Sequence, residues 1–322
     1  MRLVLCSLLL VSLAVGQNQV ARVSRDDSVR VQEFYRLAAQ IQDQIWPHWS
    51  QTPSPLLLVA NDAEFLTHHP SVPSEFKPTN DGFSTRPRQF STNLLATFPA
   101  FGPPSVIVIG EPANTSSKTS TPWLITVMHE HFHQLQESQP GYYEAVAKLD
   151  LSKGDNTGMW MLNYPFPYDK PEVVAAFNDL RDLLLRAVTE PDNKVFTSLA
   201  HDYVQKRKQF FASVSPNDAK YLEFQLWKEG IARYTQIKTA EAAENYHPTS
   251  DYQHLSDFTS FSDYASHVRN DTLDELKRAD LREWKREVVY SFGAAEGLLL
   301  DRLHPNWKDE YFKHPLSMDS FF

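Results

Sequence analysis

Apolar positions recur along this chain with two different periods, and the change of period divides it. Val31, Phe34, Leu37, Ile41 and Ile45 are spaced three and four apart, which predicts an amphipathic helix over residues 28–45, ended by Pro47. The run Leu-Leu-Leu-Val-Ala at 56–60 is short and apolar throughout, as a buried strand would be. The next stretch, to about residue 88, is rich in Pro, Ser, Thr and His and reads as loop. Strands are expected at 93–98 and 105–109, the second (Val106-Ile107-Val108-Ile109) being the clearest in the chain. Beyond Gly141 the helical period takes over. Helices are predicted at 171–188, 194–214, one long one at 217–245, and at 272–289 and 290–303, the last two separate or one bent helix. Strands followed by helices point to an α+β domain over residues 17–322, with an α/β lobe at 17–145 and a mainly helical lobe at 146–322. A cleft between such lobes is a natural ligand site.

The helix joining the lobes carries the chemistry. Thr121 is a candidate cap, Pro122 suits the first turn, and Leu124, Val127, Met128, Phe132 and Leu135 form the apolar stripe. Within it stands His129-Glu130-His131-Phe132-His133, the H-E-x-x-H pattern. Residues four apart share a helix face, so His129 and His133 can address one metal ion while Glu130 reaches a water beside it. His131 points to roughly the opposite face and belongs to no such site. A histidine-rich surface helix would carry the same letters without a metal.

Composition narrows the setting. Residues 1–16 have the basic start, apolar run and small-residue end of a secretory signal peptide, the other reading being an uncleaved anchor. The one cysteine, Cys6, falls inside that segment, so the remaining chain has no disulfide and no thiolate ligand. Any metal site must be made from His, Asp and Glu. The 31 basic and 40 acidic residues, a net charge of −9, argue against a general nucleic-acid binder. The tight basic run Lys206-Arg207-Lys208 reads as a solvated helix face. Asn114-Thr115-Ser116 and Asn270-Asp271-Thr272 are glycosylation sequons, or simply surface loops. The aromatic, proline-punctuated segment from Met159 to Tyr168 either lines a cleft or covers the core.

A catalytic zinc takes three protein ligands plus water. The pattern with a third histidine six residues on is excluded, because Gln136 and Gln139 stand where its glycine and histidine would be. The third ligand therefore comes from far along the chain. Glu229, flanked by Gly230 and Ala232 that would let its helix approach the His129 helix closely, is the leading candidate; Glu223, on another helix face, is its rival. Either could equally be a surface glutamate.

Trp227-Lys228-Glu229-Gly230-Ile231-Ala232 resembles the W-x-N-E-G-F-A segment of the gluzincin metallopeptidases, and Val289-Tyr290-Ser291-Phe292-Gly293-Ala294 resembles their V-Y-x-x-G-A segment. The three motifs stand in the family's order. Lys228 departs from the usual asparagine, Trp227 is one residue nearer the glutamate, and the G-x-M-E-N strand of the aminopeptidases is missing. The resemblance implies a zincin-like fold, with a small mixed sheet whose edge strand lies over the H-E-x-x-H helix. It implies one zinc ion held by His129, His133 and Glu229, Glu130 as general base, and Tyr290 as the group that stabilises the oxyanion. Arg233, one turn after Glu229, would buttress it or form a plain surface pair. Gly293 would let its helix sit close to the cleft, and a peptide would dock along 105–109 by backbone pairing.

The expected protein is thus a secreted zinc metallopeptidase acting on peptide or protein substrates. Two alternatives remain: a zinc hydrolase with a non-peptide substrate, and a secreted metal-binding protein without activity.

Overall fold

The computed structural model describes residues 21–155 and 157–322. The expected signal peptide lies outside them. Helix α1 (Arg25–Ile45) starts where Ser24 Oγ accepts from the Asp27 amide, with Asp26 and Asp27 at its electropositive end. Its buried face carries the Val31, Phe34, Leu37, Ile41 and Ile45 stripe.

The strands are β1 (Leu56–Val59), β2 (Ala63–Thr67), β3 (Lys77–Pro78), β4 (Ser84–Pro87), β5 (Leu95–Phe98) and β6 (Val106–Gly110). They form one mixed sheet in the order β3-β4-β2-β1-β6-β5, parallel only between β1 and β6. The region read as loop therefore contains β2, β3 and β4. Their pattern is disguised by a buried ion pair: Glu64 of β2 takes Arg86 of β4 at 2.7 Å and accepts from the Gln89 amide as well. Strand β6 lies between β1 and β5, so the expected docking strand at 105–109 has both edges paired. Among the described residues the edge strands are β3 and β5, and the one beside β6 is β5.

Both faces of the sheet are covered, which is why β1 and β6 are apolar at every position. Leu56, Leu58, Ile107 and Ile109 face the helices. Leu57, Val59, Val106 and Val108 face a smaller layer closed by Phe76, Phe90 and Phe101.

Helix α2 (Ser120–Glu137) runs beneath the sheet. Trp123 Nε1 donates to Gly110 O at 2.8 Å, and Gln134 Nε2 donates to Pro55 O and Ser105 O, both at 2.9 Å. The helix begins two residues earlier than expected, with Thr119 at the cap position, and Thr121 does not cap it; its hydroxyl donates to Thr259 O instead.

Then come α3 (Tyr142–Lys148), α4 (Trp160–Asn163), α5 (Pro171–Thr189), α6 (Asn193–Ser213) and α7 (Pro216–Gln225). A π-helical turn (Leu226–Gly230) leads into α8 (Ile231–Ala242), followed by α9 (Ser250–Gln253), α10 (Phe261–Arg278), α11 (Leu281–Trp284), α12 (Val288–Leu303) and α13 (Trp307–Tyr311). The long helix expected at 217–245 is thus interrupted by the π turn that holds Glu229. Helix α10 starts at Phe261, capped by Ser260, rather than near 272, and the break before α12 falls at 279–287 rather than at Tyr290.

Two further expectations fail on packing. Arg207 is buried, its guanidinium bonded to Glu296 at 2.6 Å and Glu223 at 2.7 Å between the rings of Phe211 and Phe322, so Lys206-Arg207-Lys208 is not a solvated face. Gly230 meets α12, not the His129 helix: a Cβ at Gly230 would lie 2.6 Å from Gly293 Cα. The two glycines singled out separately in the sequence are the crossing point of one helix pair, which only their missing side chains permit. Among the described residues no helix is long and apolar enough to cross a membrane.

Candidate metal centre

The helical period places His129 and His133 on one face of α2, buried, with their rings 4.9 Å apart. The π turn adds one residue per turn and carries Glu229 toward them, a role such turns often play at functional sites. Glu229 Oε2 lies 3.3 Å from His133 Nε2 and 3.9 Å from His129 Nε2. Two donors each ~2.1 Å from a tetrahedral ion stand roughly 3.4 Å apart, so these separations suit three ligands around one metal. Donor atoms of His129, Glu130 and His133 also lie within 4.8 Å of one another. The residues present therefore fit a metal ion. Glu223, the rival ligand, is elsewhere: it pairs with Arg207 and accepts from the Met318 amide at 2.8 Å.

The orientations of these side chains are enforced from outside. Gln136 Nε2 donates to Trp227 O, Lys228 O and Tyr311 Oη, so its Oε1 must face His133 Nδ1, 2.7 Å away. His133 then donates from Nδ1, and Nε2 is the nitrogen left for a metal. His129 Nδ1 is buried without a hydrogen-bond partner among the described residues. Glu130 accepts a hydrogen bond from Thr97 Oγ1 of β5 at 2.8 Å, and the same hydroxyl lies 3.0 Å from the Glu130 carbonyl.

Charge is concentrated here. Burial alone would raise the Glu229 carboxyl, but His133, His129 and Arg286 hold it well below the usual carboxylate range. Burial opposes a proton on His133, and the Glu229 charge outweighs it, so that imidazole is raised. His129 is lowered, by burial first and by His133 beside it. Lys228 is raised far above its ordinary value because Glu137, 2.7 Å away, overrides its burial.

Tyr290 is half-buried in the first turn of α12, its ring stacked on His129 at 6.3 Å. Burial and the Glu229 charge raise its phenol above the ordinary value and keep it protonated. The structure thus brings together all five residues singled out in the sequence. Arg233 lines the same cleft but does not buttress Glu229: its guanidinium turns to Glu275 (3.1 Å) and Gln236 (3.1 Å). The cation on Glu229 is Arg286, 2.9 Å from Oε1. Nothing in the string Arg282-Glu283-Trp284-Lys285-Arg286-Glu287 marked it; its position four residues before Tyr290 was the available sign.

Comparison of the chain with protein-family models, with curated proteins and with solved structures finds no match.

An open cleft of about 500 Å³ reaches the centre, walled by Leu95 of β5, His129 and Glu130 of α2, Gln236 of α8, and Trp284 and Tyr290. The Met159–Tyr168 segment is not part of its wall. Trp160 stacks on Phe224 and Tyr164 on Tyr221, so it covers the helical core.

Proposed function

We propose that the chain is a zinc-dependent metallopeptidase. The carrying observation is the arrival of Glu229 Oε2, from far along the sequence, at 3.3 Å and 3.9 Å from the two outward nitrogens of the H-E-x-x-H histidines. His133, His129 and Glu229 hold zinc, a choice supported by a donor set of two imidazoles and a carboxylate with no sulfur. When bound, zinc supplies a Lewis acid and lowers the pKa of water.

The chain's own groups do the rest. Glu130, aimed by Thr97, takes a proton from water and returns it to the leaving amine. The Tyr290 phenol, kept protonated, donates to the carbonyl oxygen as it gains charge. Strand β5 offers an unpaired edge next to Glu130, along which an extended peptide would add as a further strand. Its neighbour β6, paired on both sides, cannot serve.

The test is mass spectrometry of a mixed peptide library treated with the protein and with Glu130→Gln, alongside metal analysis of both. Zinc in both and cleavage only by the first is the expected result. Zinc without cleavage by either moves the reading to a non-peptide substrate or a metal-binding protein.

A further inference from the structure

Arg286 is the charged side chain at the centre that no motif accounts for. It is largely buried, while Lys285 and Glu287 on either side are exposed. Its donors are divided with little to spare. Nη2 bonds Glu229 Oε1 at 2.9 Å, Nε donates to Gln225 Oε1 at 2.9 Å, and Nη1 reaches both Tyr290 Oη and Glu287 Oε1 at 3.3 Å. Gln225 is itself oriented, because its Nε2 donates to Met161 O.

The backbone gives a second, independent sign. Lys285 has φ +49° and ψ −122°, a conformation that an L side chain rarely adopts. Such strain persists only where the surroundings enforce it. Here it turns the chain between α11 and α12 and sends the next side chain, Arg286, inward.

We propose that Arg286 is a positioning residue that sets the metal ligand and the phenol together. By occupying Oε1 of Glu229 it leaves Oε2 alone to face the histidines, so the carboxylate binds through one oxygen. By donating to the oxygen of Tyr290 it directs the phenol's own hydrogen away from itself, toward the cleft. A planar guanidinium reaches both acceptors at once; a lysine ammonium is a single point and holds one. The inference rests on the ligand and phenol assignments proposed above.

The experiment compares Arg286→Gln, Arg286→Lys, Tyr290→Phe and the double variant Arg286→Gln/Tyr290→Phe. Zinc affinity is measured by competition with a chromogenic chelator, and kcat and KM on a peptide that the wild type cleaves. Arg286→Gln should weaken zinc binding about 10- to 100-fold, the usual effect of removing a ligand's outer partner. Arg286→Lys should restore most of the zinc affinity and leave kcat low with KM little changed, because the ammonium pairs with Glu229 and releases Tyr290. Adding Tyr290→Phe to Arg286→Gln should lower kcat no further. Wild-type zinc affinity in Arg286→Gln, or kcat losses that multiply in the double variant, overturns the proposal. If Arg286→Gln does not fold, Arg286→Lys decides: a kcat equal to wild type overturns it, and a selective kcat loss supports it. If the wild type cleaves no peptide, the peptidase reading has failed, and the zinc arm still tests the hold on Glu229.

Discussion

Two histidines two residues apart on α2 have nearly the same local chemistry and opposite fates. Each sets Nδ1 against a glutamine three residues on, His131 with Gln134 at 2.9 Å and His133 with Gln136 at 2.7 Å. They differ at Nε2. That of His131 meets the neutral Gln42 amide at 3.0 Å, and its ring stacks on Trp49. That of His133 meets the Glu229 carboxylate. Burial therefore lowers His131 to about 4, while Glu229 raises His133. The bases behind α2 follow the same division. Arg286 and Lys228 on the carboxylate side are raised, and Lys308, whose ammonium sits over Trp46 on the aromatic side, is lowered to about 8. The spacing of histidines on a helix is thus only half of a metal site. What faces Nε2 from another element decides the rest.

The sharpest way to break this contrast is to remove each histidine. His133→Ala should abolish zinc binding and all hydrolysis. His131→Ala should retain zinc and lose roughly 3 kcal/mol of stability, from the cavity and the unpaired Gln42 and Gln134 amides. Chelator competition and urea denaturation on both proteins read the two quantities separately. Equal loss of zinc from both would end the distinction. Next in size is Glu130→Gln, which keeps the ligands and removes the base. It should lower kcat by about 10²- to 10⁴-fold with zinc retained. Loss of zinc from this variant would make Glu130 a ligand instead.

The contrast also marks how far the residues could be read in advance. The helical period gave the relative directions of His129, His131 and His133, and the resemblance pointed to Glu229 and Tyr290, because these depend on local spacing or on motif. The α+β order was legible for the same reason. What lies beyond local spacing was not. Strands β2 and β4 were hidden by the Glu64–Arg86 pair, since a charge neutralised inside a sheet looks like a loop residue in a string of letters. Arg207 and Arg286 look like surface cations until the carboxylates from other helices are seen around them. Arg233, the buttress expected from helical spacing, fails because the π turn changes the direction of residues that follow Glu229.

A finer test leaves the histidines in place and removes the glutamines behind them. Gln136→Ala frees His133 Nδ1 and should weaken zinc about 10- to 100-fold. Gln134→Ala should leave zinc affinity unchanged. It removes the donor to the Ser105 carbonyl and one of the two donors to the Pro55 carbonyl, which keeps the Ile107 amide, and so loosens the tie of α2 to the sheet; it should cost about 1–3 kcal/mol of stability. If both variants lose zinc equally, α2 responds as a unit and Nε2 partners do not govern the outcome.

The smallest expected effect extends the contrast to Lys308, which sits over Trp46 and Tyr234. Burial against aromatic rings lowers its ammonium to about 8 from an ordinary 10.5, with Asp301 opposing the shift. Between those values the unfolded chain holds more protons than the folded one, so this group's contribution to stability rises with pH across about 8 to 10.5. Below 8 both states carry the proton and the penalty is constant. The shift corresponds to ~3 kcal/mol at full burial, and the residual solvent contact of this side chain reduces it to roughly 1–2 kcal/mol. Urea denaturation of the wild type and of Lys308→Met at pH 7.5, 9 and 10.5 isolates it, because other titrations cancel in the difference. The wild type should gain on the variant as pH rises. Parallel stability curves would show that the aromatic side of α2 does not disfavour charge, and the His131 argument would lose its generality.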